Sequence, residues 1–348
     1  MVMRLPIPNL LSAGFAWVLL AMNAPVCASD RPFAVVEHFA VGGEGGWDYP
    51  SIDAGTHLLY IARANRVLVV DTSRGQIVSE IADTPGVHGI ALARDLKRGY
   101  ISCGQANVVK VFDLESRAIV ATIQTGDGPD AIVYEPITQR VFAFNGRGHS
   151  ATVIDARTNA VTATIALGGK PEFSRVDGRG NLFVNIEDTA ELARIDARAA
   201  SVTGRWPLAH CEQPTGLALD AIHRRGFSTC GNQTLVIMNL DSGEAVATLP
   251  IGKGVDGAEF DADTQTLFSA NGEGNLSIVR ESSPERYAVA QTLVTQRGAR
   301  TIALDPGTHR LYLPTAQLAP PAAATADNPH PRPVPLPGTF VVLVVQQQ

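Results

Sequence analysis

Residues 254–279 read GVDGAEFDADTQTLFSANGEGNLSIV, and their reading decides the fold. Apolar Phe260 is followed by the polar run DADTQT, then by apolar Leu267 and Phe268. A second polar run, ANGEGN, leads to Leu276, Ile278 and Val279. Short apolar stretches punctuated by Gly, Asn and Asp are the signature of antiparallel hairpins. The same glycines and acids would also suit a ligand loop, so Asp256 is either a chemical group or one member of a repeat.

The repeat reading is supported along the whole chain. WDYPSID, VHGIALA, PDAIVYE, PEFSRVD, PTGLALD, VDGAEFD and ARTIALD share one pattern, and their second residues are Asp48, His88, Asp130, Glu172, Thr215, Asp256 and Arg300. The intervals between them are 40, 42, 42, 43, 41 and 44 residues. A fixed period of this length marks a stacked or circular architecture. Each unit continues through a second strand (LLYIA, RGYIS, RVFAF, NLFVN, RGFST, TLFSA, RLYLP), a third such as VVKVFD or ATVIDA, and a fourth such as IVATIQTG or AVATLPIG. A four-stranded sheet cannot bury both of its faces alone. Seven sheets packed around an axis can, and they leave only short, protected edges. The predicted fold is therefore an all-β, seven-bladed propeller.

The last unit has THRLYLP and FVVLVV but no fourth strand, whereas residues 33–43, FAVVEHFAVGG, match AVTATIALGG of the third unit. The N-terminal strand is thus expected to complete the last blade, and the closed ring predicts a monomer.

Residues 1–28 stand outside this pattern. Arg4, an apolar run over residues 10–22 and the ending Val26-Cys27-Ala28 read as a secretory leader cleaved after Ala28, with a retained anchor or a lipidated Cys27 as weaker alternatives. This places residues 29–348 in the periplasm as a single domain. Export leaves Cys103, Cys211 and Cys230. Cys211 enters the fifth unit and Cys230 ends its second strand, on one face, so a Cys211–Cys230 disulfide is expected and Cys103 is a buried apolar residue. The net charge of −6, with no Lys/Arg run, argues against a nucleic-acid partner.

Units such as residues 111–145, VFDLESRAIVATIQTGDGPDAIVYEPITQRVFAFN, resemble the YVTN-type repeat of the YncE-like seven-bladed β-propellers. The resemblance spans residues 33–345 and implies an exported bacterial propeller. It implies no particular activity, because propellers host many.

Asp256 is thus first a repeat position, at the start of an innermost strand. The topology gathers Asp48, His88, Asp130, Glu172, Asp256 and Arg300 at one mouth of the central channel. Four carboxylates facing one another raise their own pKa values or recruit a cation, and Arg300 suits an anionic substrate group. The competing reading is a hydrated channel mouth. His88, His149 and His210 project to the same face, which makes them candidate ligands for a divalent metal ion. Loop residues such as Asn145, Asn271 and Arg147 are expected to serve turns. A proline-rich insertion at residues 315–339 replaces a short turn in the last unit and is expected over this face, with His330 and Arg332. There is no GxSxG, Walker or dinucleotide motif. The leading expectation is a non-catalytic scaffold binding a small polar ligand or a periplasmic protein. The alternative is a metal-assisted lyase or hydrolase with His88 as base and Arg300 as anion clamp.

Overall fold

A computed structural model describes residue 2, residues 31–321 and residues 333–348. Residues 1 and 3–28, which fall in the stretch read as a leader and include Cys27, and the insertion residues His330 and Arg332 lie outside the described residues.

The compact unit Arg31–Gln348 consists of seven four-stranded antiparallel sheets. In blades 1 to 6 the strands follow chain order. Blade 3, for example, is Pro129–Glu135, Arg140–Asn145, Ser150–Asp155 and Ala160–Ala166. The first strand of every blade packs against the first strands of both neighbours, and the last of these contacts, between Ala303–Asp305 and Pro50–Asp53, closes the ring. These seven strands line the channel. The second and third strands are almost wholly buried, since their apolar residues pack between blades, while the fourth strands alternate exposed and half-buried positions as a one-sided sheet requires.

Blade 7 is closed from the N-terminus. Phe33–Ala40 pairs antiparallel with Val341–Gln347 and supplies its outermost strand, as the sequence predicts. Phe33 is buried edge-on against Phe268 of blade 6, with ring centroids 5.1 Å apart. Gln291 of blade 6 both accepts from Phe33 N and donates to Phe33 O, each at 2.8 Å. The closing strand therefore ties blade 7 to blade 6 as well.

Cys211 and Cys230 form the expected disulfide, and Cys103 is fully buried. Burial pushes the Cys103 thiol up to about 12, which makes it unreactive.

Candidate functional site at the axial mouth

The side chains expected at the axis are aimed there by a repeated irregularity. In blades 2 to 6 the pairing of the first strand with the second slips just after its first residue. The slips fall between Val87 and Ile90, Pro129 and Ile132, Pro171 and Ser174, Pro214 and Leu217, and Val255 and Gly257. His88, Asp130, Glu172, Thr215 and Asp256 occupy these bulges, and a bulge re-aims the side chain it carries. Asp48 and Arg300 reach the same level from the loops just before their strands. In blades 2, 5 and 6 glycine at the next position lets neighbouring blades close up: a Cβ on Gly216 would stand 3.0 Å from the backbone of Gly257 and Ala258.

The mouth is wired by charge pairs. His88 Nδ1 lies 2.6 Å from Asp48 Oδ2 and 3.7 Å from Asp130 Oδ1. Arg300 Nε donates to Asp256 Oδ2 at 2.7 Å, and Tyr49 Oη donates to Asp256 Oδ1 at 3.3 Å. Lys170 Nζ lies 2.6 Å from Glu172 and also bonds Glu187. Thr215 Oγ1 donates to Val255 O at 2.9 Å, joining blades 5 and 6.

Asp48, Asp256 and Glu172 each hold a close cation. Asp130 has only the second, longer contact to a histidine already bonded to Asp48. Burial, reinforced by Asp48 and Asp256 against the opposing His88, pushes the Asp130 carboxyl up to about 7. Burial and the charge of Asp130 raise Glu172 to about 8 despite Lys170. Burial alone would lower His88, but the hydrogen bond to Asp48 and the charge of Asp130 outweigh it and raise the imidazole to about 9. Burial also raises Asp256, with Arg300 opposing. The mouth thus stores protons at neutral pH because too many carboxylates share too little water.

The channel is narrowed just inside the mouth. Tyr49 of blade 1 and Phe173 of blade 4 meet across the axis, ring centroids 4.7 Å apart at 65°, and form a septum beneath the carboxylates. Below it, a chamber of about 340 Å³ is lined by Ser51, Tyr134, Arg175 and Glu259, the last two paired at 2.7 Å. Beside the mouth, Trp47, Asp256 and Arg300 border a recess of about 430 Å³ whose far wall is Leu318, Pro333 and Pro335. Leu318 and Pro335 bridge the two arms of the proline-rich insertion, so its described ends lie on the carboxylate face as expected. The mouth is therefore a cup with a floor and a side recess.

The metal set read from the sequence does not assemble. His149 and His210 sit at left-handed positions, φ 47° and 64°, of exposed outer turns. Neither belongs to a ligand cluster among the described residues, and His88 is joined instead by Asp48 and Asp130, their ligand atoms within 4.8 Å of one another. Tyr49, Lys170, Phe173 and Trp47 escaped sequence reasoning. Lys170 and Phe173 flank the bulge residue Glu172, and Trp47 and Tyr49 flank the equivalent Asp48, so their place in the repeat was the available signal. Asn145 and Asn271 serve their turns: Asn145 Nδ2 donates to Ser150 Oγ and Thr152 Oγ1, and Asn271 Nδ2 to Asn275 Oδ1 and Ser277 Oγ.

No protein-family model matches the chain, and no curated protein matches it. Among solved structures it is similar to U3-55K, with a TM-score of 0.73 and 8% identity over 89% of this chain and 98% of that one. It is also similar to the WD40 repeats of RRP9, with a TM-score of 0.76 and 9% identity over 91% and 99%. Such identities speak for the fold alone. The chain has a seven-bladed β-propeller fold, as those two structures do.

Proposed function

We propose that the protein is a non-catalytic binding scaffold whose axial cup takes a cationic group, either of a small polar ligand or of a side chain on a protein partner. The observation that carries this reading is Asp130, a carboxylate held at the axis without a close cation of its own. An incoming guanidinium or ammonium supplies the missing charge and displaces protons stored by Asp130 and Glu172. The Tyr49–Phe173 floor limits entry to one face. The recess beside Arg300 can hold the remainder of the ligand. A propeller with short edges and a polar mouth suits this use. The repeat likeness to YncE-like propellers and the leader-like residues 1–28 support assignment to that family, export to the periplasm and action as a monomer.

A second reading, metal-assisted lyase or hydrolase chemistry on the same face, is favoured by the clustering of Asp48, His88 and Asp130. There His88 would act as base and Arg300 as anion clamp.

Calorimetric titration of chelator-treated protein with N-acetylargininamide tests the first reading. Binding is expected to tighten from pH 6 to pH 8, as the cup loses protons, and to weaken about tenfold in Asp130→Asn, or about 1.4 kcal/mol. Equal affinity in the variant would count against the cup. Stoichiometric metal in protein purified without chelator, lost in His88→Ala, would favour the second reading.

A further inference from the structure

The face opposite the cup carries a second, independent cluster. Except in blade 2, each first strand ends at or just before a buried acid (Asp53, Glu135, Asp177, Asp220, Asp261 and Asp305) whose carboxylate accepts hydrogen bonds from the following turn. At four joints the next blade supplies a basic side chain to that acid. Arg94 Nε lies 3.1 Å from Asp53, Arg224 Nη1 2.9 Å from Asp177, His309 Nδ1 2.8 Å from Asp261 and His57 Nδ1 3.9 Å from Asp305.

The joint between blades 5 and 6 breaks the rule. Blade 6 has Gln265 at the matching turn position, and the side chain it brings to Asp220 is another carboxylate, Glu281. The backbone fixes the equivalence. Glu281 N donates to the turn carbonyl of its blade at 3.0 Å, the bond made in other blades by Thr72, Leu114, Ala156, Ala197 and Leu240. Four of those five are apolar, as a position buried between blades should be. Glu281 keeps only 1% of its side chain exposed, and Asp220 2%. His223 Nδ1 lies 2.6 Å from Asp220 Oδ2 and 3.2 Å from Glu281 Oε1. One N–H cannot serve both, and neither oxygen of Glu281 accepts a well-formed hydrogen bond. Arg225 makes no ion pair with Glu281: its Nε bonds Pro284 O and its Nη1 bonds the carbonyls of His223 and Arg224, so its charge acts on Glu281 only from longer range.

Two buried carboxylates, one of them the orphaned Glu281, converging with one imidazole are a donor set in search of a cation. We propose that Asp220, His223 and Glu281 form a divalent transition-metal site of the zinc type, with Asp220 Oδ2, His223 Nδ1 and a Glu281 oxygen as ligands joining blades 5 and 6. One nitrogen and two carboxylate oxygens suit Zn²⁺ and disfavour Mg²⁺, which prefers oxygen and water. The His223 side chain is 30% exposed, which gives the ion an entry path and a fourth, solvent-facing position.

The test uses the chelator-treated protein without a histidine tag, titrated with ZnSO₄ and followed by calorimetry and thermal unfolding. Wild type is expected to take up one Zn²⁺ at this site and to gain several degrees in Tm. Glu281→Leu places here the residue of blades 2 and 5. It should fold, lose this ion by about 100-fold or more in affinity, and show no Zn²⁺-dependent Tm gain from the site. His223→Gln should show the same loss, and it serves as the deciding variant if Glu281→Leu does not fold. His88→Ala and Asp130→Asn, which alter the cup, should leave this ion in place, so failure of the cup and failure of this site are separable. Wild-type Zn²⁺ affinity in Glu281→Leu or His223→Gln, or no Zn²⁺ uptake by wild type beyond what His88→Ala removes, would overturn the proposal.

Discussion

If Phe33 closes the ring, truncating it should weaken the whole molecule. Phe33 is 5% exposed, stacks edge-on against Phe268, and lies under the Arg280 guanidinium at 5.9 Å. Removing a buried phenyl ring costs about 3–5 kcal/mol when the surroundings cannot collapse, and the aromatic pair accounts for about 1 kcal/mol of that. The seam between blades 6 and 7 is fixed by backbone on both sides, so the upper part of this range applies. For a domain of this size about 4 kcal/mol lowers Tm by roughly 8 °C. The two hydrogen bonds from Gln291 go to the backbone of residue 33 and survive the substitution. Gln291→Ala should separately cost about 2 kcal/mol, at about 1 kcal/mol per bond. Val36→Ala is the control, because Val36 lies on the same strand but is 46% exposed. It should change stability by less than about 0.5 kcal/mol. Denaturant unfolding and calorimetry of the three variants provide the assay. A Phe33→Ala cost no larger than that of Val36→Ala would refute the closure argument.

Other outcomes follow from the charges and the thiols. Asp130 and Glu172 hold protons near pH 7 in the folded state that the unfolded chain gives up near its ordinary carboxylate range. The folded state therefore binds more protons, and stability falls as pH rises through about 7 and 8. His88, raised to about 9, adds the same sign: its contribution is complete below about 6.5 and lost by about 9. Tm should decline from pH 6 to pH 9, less steeply in Asp130→Asn, and a rising Tm across that range would contradict the crowded mouth. Replacing Cys211 and Cys230 together by Ala should cost about 3 kcal/mol from the released loop. Intact-mass analysis after iodoacetamide should show Cys103 unmodified in the native protein and alkylated only on unfolding.

Most of the architecture was legible because a blade is a local object. The period of about 42 residues, the turn chemistry and the orphan strand at residues 33–43 specify seven blades and their closure without any knowledge of side-chain packing. The axial membership of Asp48, His88, Asp130, Glu172, Asp256 and Arg300 was legible for the same reason, since equivalent repeat positions share a radius. What the repeat could not provide is the aim of residues outside the equivalent positions. His149 and His210 lie on the expected face, but left-handed turn corners turn them to solvent, far from the bulges that point His88 inward. The Tyr49–Phe173 floor depends on two large residues from blades 1 and 4, three blades apart, whose meeting no local pattern announces. Lys170 and Glu281 are departures from the repeat. Glu281 becomes visible only when backbone bonds align it with Thr72, Leu114 and Leu240.

The cup also differs in kind from the repeated joints of the opposite face. Four of those joints match a buried acid with a basic side chain from the next blade and gain rigidity from it. The mouth instead concentrates acids from four blades around three cations and leaves one carboxylate underneutralised. Such an arrangement works against stability and is retained in a position where a visitor can relieve it.

Proton release on binding tests this account most directly. N-acetylargininamide should be titrated calorimetrically at pH 7 in buffers of differing ionisation enthalpy. If the cup exchanges stored protons for a cation, the observed enthalpy will vary with the buffer and report release of between about half a proton and one proton per guanidinium bound, as expected for a group titrating near 7. The release should largely disappear in Asp130→Asn. Binding whose enthalpy is the same in every buffer would contradict the account, because the carboxylates at the axis would then hold no proton for a ligand to displace.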